Sequence, residues 1–432
     1  MILVDKPYLS EFLKATSLND GIPIVDTRAA REFGLRAFEK LIPEEEAIAR
    51  FRADPQPRLY TNSENAIGWI AANLAFSDLP AKIEIFKNKA RFRELTRPLL
   101  PDFYFREVAY ADLDDIRIEE PVPSKGTDSS SSSSTPQPFI KVEEPVPSKG
   151  TGSSARSSVP LPFIIKPNVG FFSLGVHKVS SREEWTRVKA QIQSEVARKD
   201  DLYPAEVLDT TSFIIEAVIE GEEFAFDAYF DENGAAVIVG IYKHLFSSEN
   251  DVSDRIYITS KAIIEANLDE FTAWLNQVGA LAGMHDFPVH VEVRRTAAGQ
   301  IAPIEVNPLR FGGWCTTADM TAAAYGFNPY VYYFENQKPA WDEILSTRAG
   351  KLYSMIVLDN SSGYAGEDIE AFDYEALLAS FEHPLELRKI DYRKYPVFGF
   401  LFVETRDENF AELERILKSD LREFIKLECH TK

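Results

Sequence analysis

Apolar positions along this chain repeat with two periods, and the period changes from segment to segment. "GIPIVDT" (21–27) is a short apolar run ending at Asp26, and "PRLYTNSENAIGWIAANLAF" (57–76) reads as strand, loop and helix, with Asn62 or Ser63 as N-cap. "NKARFRELTRPLL" (88–100) is a positively charged helix stopped near Pro98 and Pro101, and "DFYFREVAYADL" is strand-like. Residues 1–118 therefore read as an α/β lobe. From about 161 to 335 strands dominate. "PFIIKP", "SFIIEAVI", "EEFAFDAYFD" and "AAVIVGIYKHLF" are strands, the second and third joined by a turn at Gly221. "SREEWTRVKAQIQSEVARK" is a helix capped by Ser181 or Ser180, and "LDEFTAWLNQVGALAGM" is another. Residues 336–432 contribute "KLYSMIVL", "YPVFGFLFVET" and a final helix over "NFAELERILKSDLREFIKL", an α+β appendage. The fold class is α/β with α+β character.

The sharpest pattern runs from His290 to Cys315. Val289, Val291 and Val293 alternate with His290, Glu292 and Arg294; after Ala297-Ala298-Gly299-Gln300, Ala302, Ile304 and Val306 alternate with Pro303, Glu305 and Asn307. Period-2 runs around a Gly-containing loop predict a β-hairpin. Pairing Thr296 with Ile301 places Glu292 opposite Glu305, with Asn307 on the same face. Like charges facing each other destabilise a sheet, so this face calls for a cation. Carboxylate and amide oxygens suit Mg²⁺, which binds one or two carboxylates plus substrate phosphates. A solvated face with two unrelated acids is the competing reading of this stretch.

Composition narrows the partners. A net charge of −21 argues against nucleic acid and against an anionic membrane surface. Two cysteines, Cys315 and Cys429, exclude a disulfide scaffold and fit a reducing cytosol. The N-terminus shows no signal-peptide pattern and no run is long enough for a transmembrane helix, so a cytoplasmic protein is expected. Residues 119–142 and 143–166 are a 24-residue tandem duplication whose first nine residues are identical. Its Ser/Pro-rich content cannot bury a core, and 119–160 is expected to be a linker.

Other candidate residues follow in order. Lys166 ends a strand and precedes a loop with Gly170, Ser173 and Gly175, whose small residues would let backbone N–H groups approach phosphate oxygens; a plain turn would look the same. Glu216 and Val218 lie where one strand hands over to the next, an edge that could take an adenine, and Glu223 beyond it could reach ribose hydroxyls. These acids are also compatible with a solvated turn. Lys243, His244 and Arg255 are cations that could meet a carboxylate or phosphate, or simply pair with Asp251 or Asp254.

Taken together, this order resembles the ATP-grasp superfamily. "FKNKARFRELTRPLLPDFYF" is similar to the helix preceding its ATP site, which makes Lys89 a nucleotide lysine; "FIIKP" supplies Lys166 and "IIEAVI" the adenine hinge. "HVEV" and "IEVNPLRFGG" resemble its paired metal ligands, Glu292, Glu305 and Asn307, followed by Arg310 and the Gly312-Gly313 amides beside the transferring phosphate. The resemblance implies ATP and Mg²⁺ (or Mn²⁺) as cofactors, a small-molecule carboxylate and an amine as substrates, and amide formation through an acyl phosphate. Lys166, Arg255 and Arg310 carry the catalytic charge in that scheme. An ATP-grasp kinase, a carboxylate–thiol ligase and a non-catalytic ATP-binding module are the alternatives. A homodimer is left open.

Overall fold

A computed structural model describes residues 1–35, 40–53, 57–119, 158–170, 175–197, 209–248, 251, 253–406 and 409–427. The expected linker and Ser173 fall outside these residues, apart from the linker's ends. The chain forms two compact units, Met1–Ile83 with Glu220–Lys432, and Glu84–Ile219.

In the first unit, short parallel strands are ordered Leu41–Ile42, Ile24–Val25, Ile2–Leu3, Tyr60–Thr61. Ser63 is the N-cap after the last of them, accepting from the Asn65 N–H at 3.2 Å. A backbone bond from Thr61 to the Leu309 carbonyl (2.7 Å) ties this layer to the second part of the unit.

That part is built on an eight-stranded sheet, ordered Ile301–Pro308, Phe287–Arg295, Glu222–Phe230, Ala236–Leu245, Ile256–Ser260, Lys351–Asp359, Val397–Arg406, Pro384–Lys389. The strands Lys351–Asp359 and Val397–Arg406 of the C-terminal appendage extend the central sheet. One face carries Phe224 and Phe226, whose rings pack at 5.5 and 5.1 Å on Phe271 of the helix Lys261–Ala282. That helix starts seven residues before the expected one because Ser260 caps it, its Oγ accepting from the Ile263 N–H. Strand alternation sends Glu223, Ala225 and Asp227 to the other face.

The hairpin exists, with a correction to its register. Arg295, not Thr296, lies opposite Ile301, which by itself would bring Ile304 opposite Glu292. A β-bulge at Ile304 restores the alignment, and Glu292 faces Glu305 and His290 faces Asn307. The bulge sits beside Pro303, which has no N–H to donate, on the edge strand, where such irregularity is tolerated. The final helix is also shorter than expected. It covers Ala411–Lys418; Leu421 then takes φ +64°, and Ile425–Leu427 forms a strand on Ile369–Phe372. Leu421 and Phe424 are needed in the apolar core below, and one continuous helix would not direct both there.

In the second unit, four antiparallel strands are ordered Phe105–Ala109, Asp209–Ala217, Phe163–Val169, His177–Val179. The helix Arg182–Ala197 starts at Ser181, whose Oγ accepts from the Glu184 N–H at 3.1 Å. Asp209–Ala217 and Glu222–Phe230 belong to different sheets, so the expected hairpin between them does not form. Gly221, at φ +133°, has the Arg295 carbonyl oxygen only 2.2 Å from where a Cβ would stand, a conformation that requires glycine.

Candidate functional site

Within Glu84–Ile219 the candidate groups form an ionic network. Lys166 is buried in Phe163–Val169, and its Nζ lies 2.5 Å from Glu216 on the neighbouring strand. Arg93, from the helix Lys89–Thr96, reaches the other Glu216 oxygen at 2.9 Å. Burial alone would raise the Glu216 pKa; the two cations outweigh it and hold the carboxyl at about 2. Burial also lowers the Lys166 pKa, with Arg93 and Lys89 adding to the effect and Glu216 opposing it. Lys89 opens its helix behind the N-cap Asn88, and its ammonium donates to the Gly170 carbonyl at 3.2 Å. Gly175 has φ +70°, and Val218 is half-buried just past the strand end. Glu216 is therefore a counter-ion to two cations, a role the hinge reading did not include.

In the other unit, Glu292 and Glu305 face each other, and Asn307 donates its amide to Glu305 at 3.1 Å. Removal from water, and then the facing Glu305 charge, push the Glu292 carboxyl up to about 7. On its other side stands His290, with Nε2 3.6 Å from Glu292 and Nδ1 2.7 Å from Asp227. Burial works against a charge on this ring, but the Asp227 and Glu292 carboxylates prevail and lift its pKa to about 9.

Arg310 is buried and bonded to Glu64 and to the Phe311 carbonyl (2.8 Å). The Gly312 N–H is directed at Asp227 (3.0 Å) and Thr317 (2.7 Å), so it is already engaged inside the protein. Trp314 and Cys315 follow with φ of +56° and +57°; Trp314 packs on Tyr8, Tyr395 and Phe400, and burial lifts the Cys315 thiol to about 11.

The remaining cations are paired within the unit. Lys243 meets Glu222 at 2.5 Å. His244 places its two ring nitrogens 3.0 Å from Glu223 and 3.0 Å from the Ser253 carbonyl, and Glu223 also binds Arg294 at 2.9 Å. Arg255 is buried, 2.6 Å from Asp359 and bonded to Ser361 at 2.9 Å. The structure thus pairs Arg255 with Asp359, where the sequence suggested Asp251 or Asp254.

Among the described residues no three or more His, Cys, Asp or Glu side chains cluster in a way that could hold a metal. The donor set on the hairpin is two carboxylates and an amide. Two opposed carboxylates with an amide beside them nevertheless suit a hard divalent cation that takes its other ligands from phosphate and water. Asp227, Glu64 and Asp359 escaped the sequence reading. Asp227 alone left a signal, a single carboxylate inside the apolar run "FAFDAYF".

No helix among the described residues is long and apolar enough to cross a membrane. A comparison with curated sequences finds no match. A family model for the ATP-grasp domain matches residues 159–318. An L-amino acid ligase from Bacillus licheniformis has a similar structure at 16% identity, covering 99% of this chain and 98% of that one with a TM-score of 0.62. A biotin carboxylase from Campylobacter jejuni, solved as a β,γ-ATP complex, is similar at 10% identity over 99% and 91% of the two chains, TM-score 0.56. N5-carboxyaminoimidazole ribonucleotide synthetase from Thermotoga maritima is similar at 14% identity over 98% of each chain, TM-score 0.56. Residues 159–318 thus match an ATP-grasp domain, and nearly the whole chain shares its fold with these three structures.

Proposed function

We propose that this chain is an ATP-dependent ligase that activates a small carboxylate as an acyl phosphate and passes the acyl group to an amine. The observation that carries this reading is the Glu292–Glu305 pair with Asn307 beside it and Arg310 three residues on, inside an ATP-grasp domain. A non-catalytic binding module has no need for the set of Glu292, Glu305, Asn307 and Arg310. Two of the similar folds belong to proteins named as a ligase of amino acids and as a synthetase, which agrees with carboxylate activation.

In this reading Glu292, Glu305 and Asn307 hold Mg²⁺ or Mn²⁺. The bound ion supplies charge neutralisation across the phosphate oxygens. Lys89 and Lys166 address the phosphates, with Glu216 and Arg93 holding Lys166 in place. Gly170, Ser173 and Gly175 belong to the loop beside those phosphates, Val218 follows the strand that offers an adenine edge, and Glu223 addresses the ribose. A substrate carboxylate oxygen attacks the γ-phosphorus, and the bond to ADP breaks. The amine nitrogen then attacks the acyl carbon, phosphate leaves and the amine releases a proton. Arg310, held by Glu64, faces the negative charge of both steps. Arg255 is assigned to orienting charge near the substrate, with Asp359 as its anchor.

The test is ADP release with Mg-ATP against pooled amino acids, small acids and amines, with products read by mass spectrometry beside Glu305→Ala. Turnover that requires both an acid and an amine, yields their condensation mass and disappears in the variant supports the ligase. A phosphorylated product replaces it with a kinase. ATP binding without turnover in any pool overturns the catalytic reading.

A further inference from the structure

Asp227 lies near the middle of the eight-stranded sheet with no exposed surface. A carboxylate is costly there unless its oxygens are occupied. Its two oxygens meet three donors from three elements. Oδ1 accepts from His290 Nδ1 at 2.7 Å and from the Gly312 N–H at 3.0 Å, and Oδ2 accepts from the Thr317 hydroxyl. His290 is its cross-strand partner and turns its other nitrogen to Glu292, 3.6 Å away. Gly312 begins the turn just after Arg310, and a Cβ there would stand 2.2 Å from Thr317 Oγ1, so the approach is close as well as hydrogen-bonded.

One buried carboxylate therefore touches both halves of the hairpin chemistry. Through His290 it fixes the side from which Glu292 is approached, and through the Gly312 amide it fixes the backbone that follows Arg310. Oriented imidazole–carboxylate pairs behind a ligand set its direction, and their loss typically lowers metal affinity or activity about 10–100-fold. We propose that Asp227, acting through His290, is a positioning residue that aligns Glu292 for the divalent cation and couples that alignment to the Arg310–Gly313 turn. This rests on the metal reading given above.

The test is a titration of full-length protein, saturated with ATP, with Mn²⁺, following the free-ion signal by electron paramagnetic resonance. Asp227→Asn and His290→Gln are each expected to weaken Mn²⁺ binding about 10–100-fold and to raise the half-saturating Mg²⁺ concentration for ADP release by a similar factor. Thr317→Val removes a third Asp227 partner without touching the His290 link and should bind Mn²⁺ like the wild type. Should Asp227→Asn fail to fold, His290→Gln decides the matter alone. Unchanged Mn²⁺ affinity in His290→Gln, beside a Glu305→Gln control that loses it, overturns the positioning role and leaves the metal reading intact. Equal losses in Thr317→Val and Asp227→Asn also overturn it, because a general disturbance of the buried cluster would then be enough. A wild type that binds no Mn²⁺, or a Glu305→Gln that binds normally, overturns the metal reading itself.

Discussion

Glu216 and Glu292 are the same residue type, each in a strand, the first buried and the second half-buried, and their carboxyls move in opposite directions. Glu216 is held at about 2 and Glu292 is pushed up to about 7. Burial opposes the charge in both. The difference lies in the neighbours. Glu216 has Lys166 and Arg93 within 2.9 Å, whereas Glu292 has Glu305 across the ladder and His290 at 3.6 Å, and His290 is also bonded to Asp227. In the first region two cations hold one carboxylate ionised. In the second, two carboxylates face each other, with Arg310 and His290 as the charges that act on them. A carboxylate held by cations is a positioning element, and two facing carboxylates mark where a further cation is expected.

The largest effect that would break this comparison is at Glu305. Glu305→Gln is expected to lower Mg²⁺-dependent ATP turnover at least about a hundred-fold, because the ion is asked to supply several kcal/mol of charge stabilisation. The same change should stabilise the ligand-free protein by up to about 1 kcal/mol, since it removes a like charge from the facing position. Thermal unfolding without metal or nucleotide reads this directly. A lower melting temperature for Glu305→Gln would mean that the pair is not in conflict, and the contrast with Glu216 would collapse.

Glu216→Gln should do the reverse. Its carboxyl falls from the ordinary 4.5 to about 2 on folding, which corresponds to about 3 kcal/mol of stability. The sign follows from the depressed pKa. The contribution is complete above the unfolded value near 4.5 and is lost as pH falls from there through about 2. Denaturant melts of wild type and Glu216→Gln at pH 7 and at pH 2.5 check it. A gap of about 3 kcal/mol at neutral pH that closes in acid is expected; a gap independent of pH would show that the ion pairs are not its source.

The two regions also differ in how far the sequence revealed them. The Glu292–Glu305 opposition follows from alternation, because a period of two leaves little choice of face once the strands are known. Even so, the predicted loop pairing was displaced by one residue, and the faces agree only because Ile304 bulges beside Pro303. Local patterning does not encode such a compensation. The Glu216 network is different. Its partners stand 50 and 123 residues away, and no periodicity links Arg93, Lys166 and Glu216. For the same reason Asp227 showed only as an oddly placed acid, and Glu64 not at all. The final helix fails in another way: its amphipathic pattern runs on past Lys418, but the core claims Leu421 and Phe424 from a turn and a strand start.

The smallest effect is expected from the duplication, where the comparison can be sharpened by a change that leaves both carboxylates alone. Deleting residues 119–142 joins Ile118 to Glu143, and Glu143 begins the same nine residues as Glu119. The parallel pairing of Ile118–Glu119 with Val159–Pro160 can then be remade with an identical residue in each position. The connection becomes 24 residues shorter. Loop closure grows only logarithmically with length, so the gain in stability is at most about 1 kcal/mol. ADP release should stay within about two-fold of the wild type, and the acid-sensitive gap between Glu216 and Glu216→Gln should be the same in the shortened chain. A larger fall in turnover, with that gap unchanged, would assign the first copy a role in the reaction that neither carboxylate network accounts for.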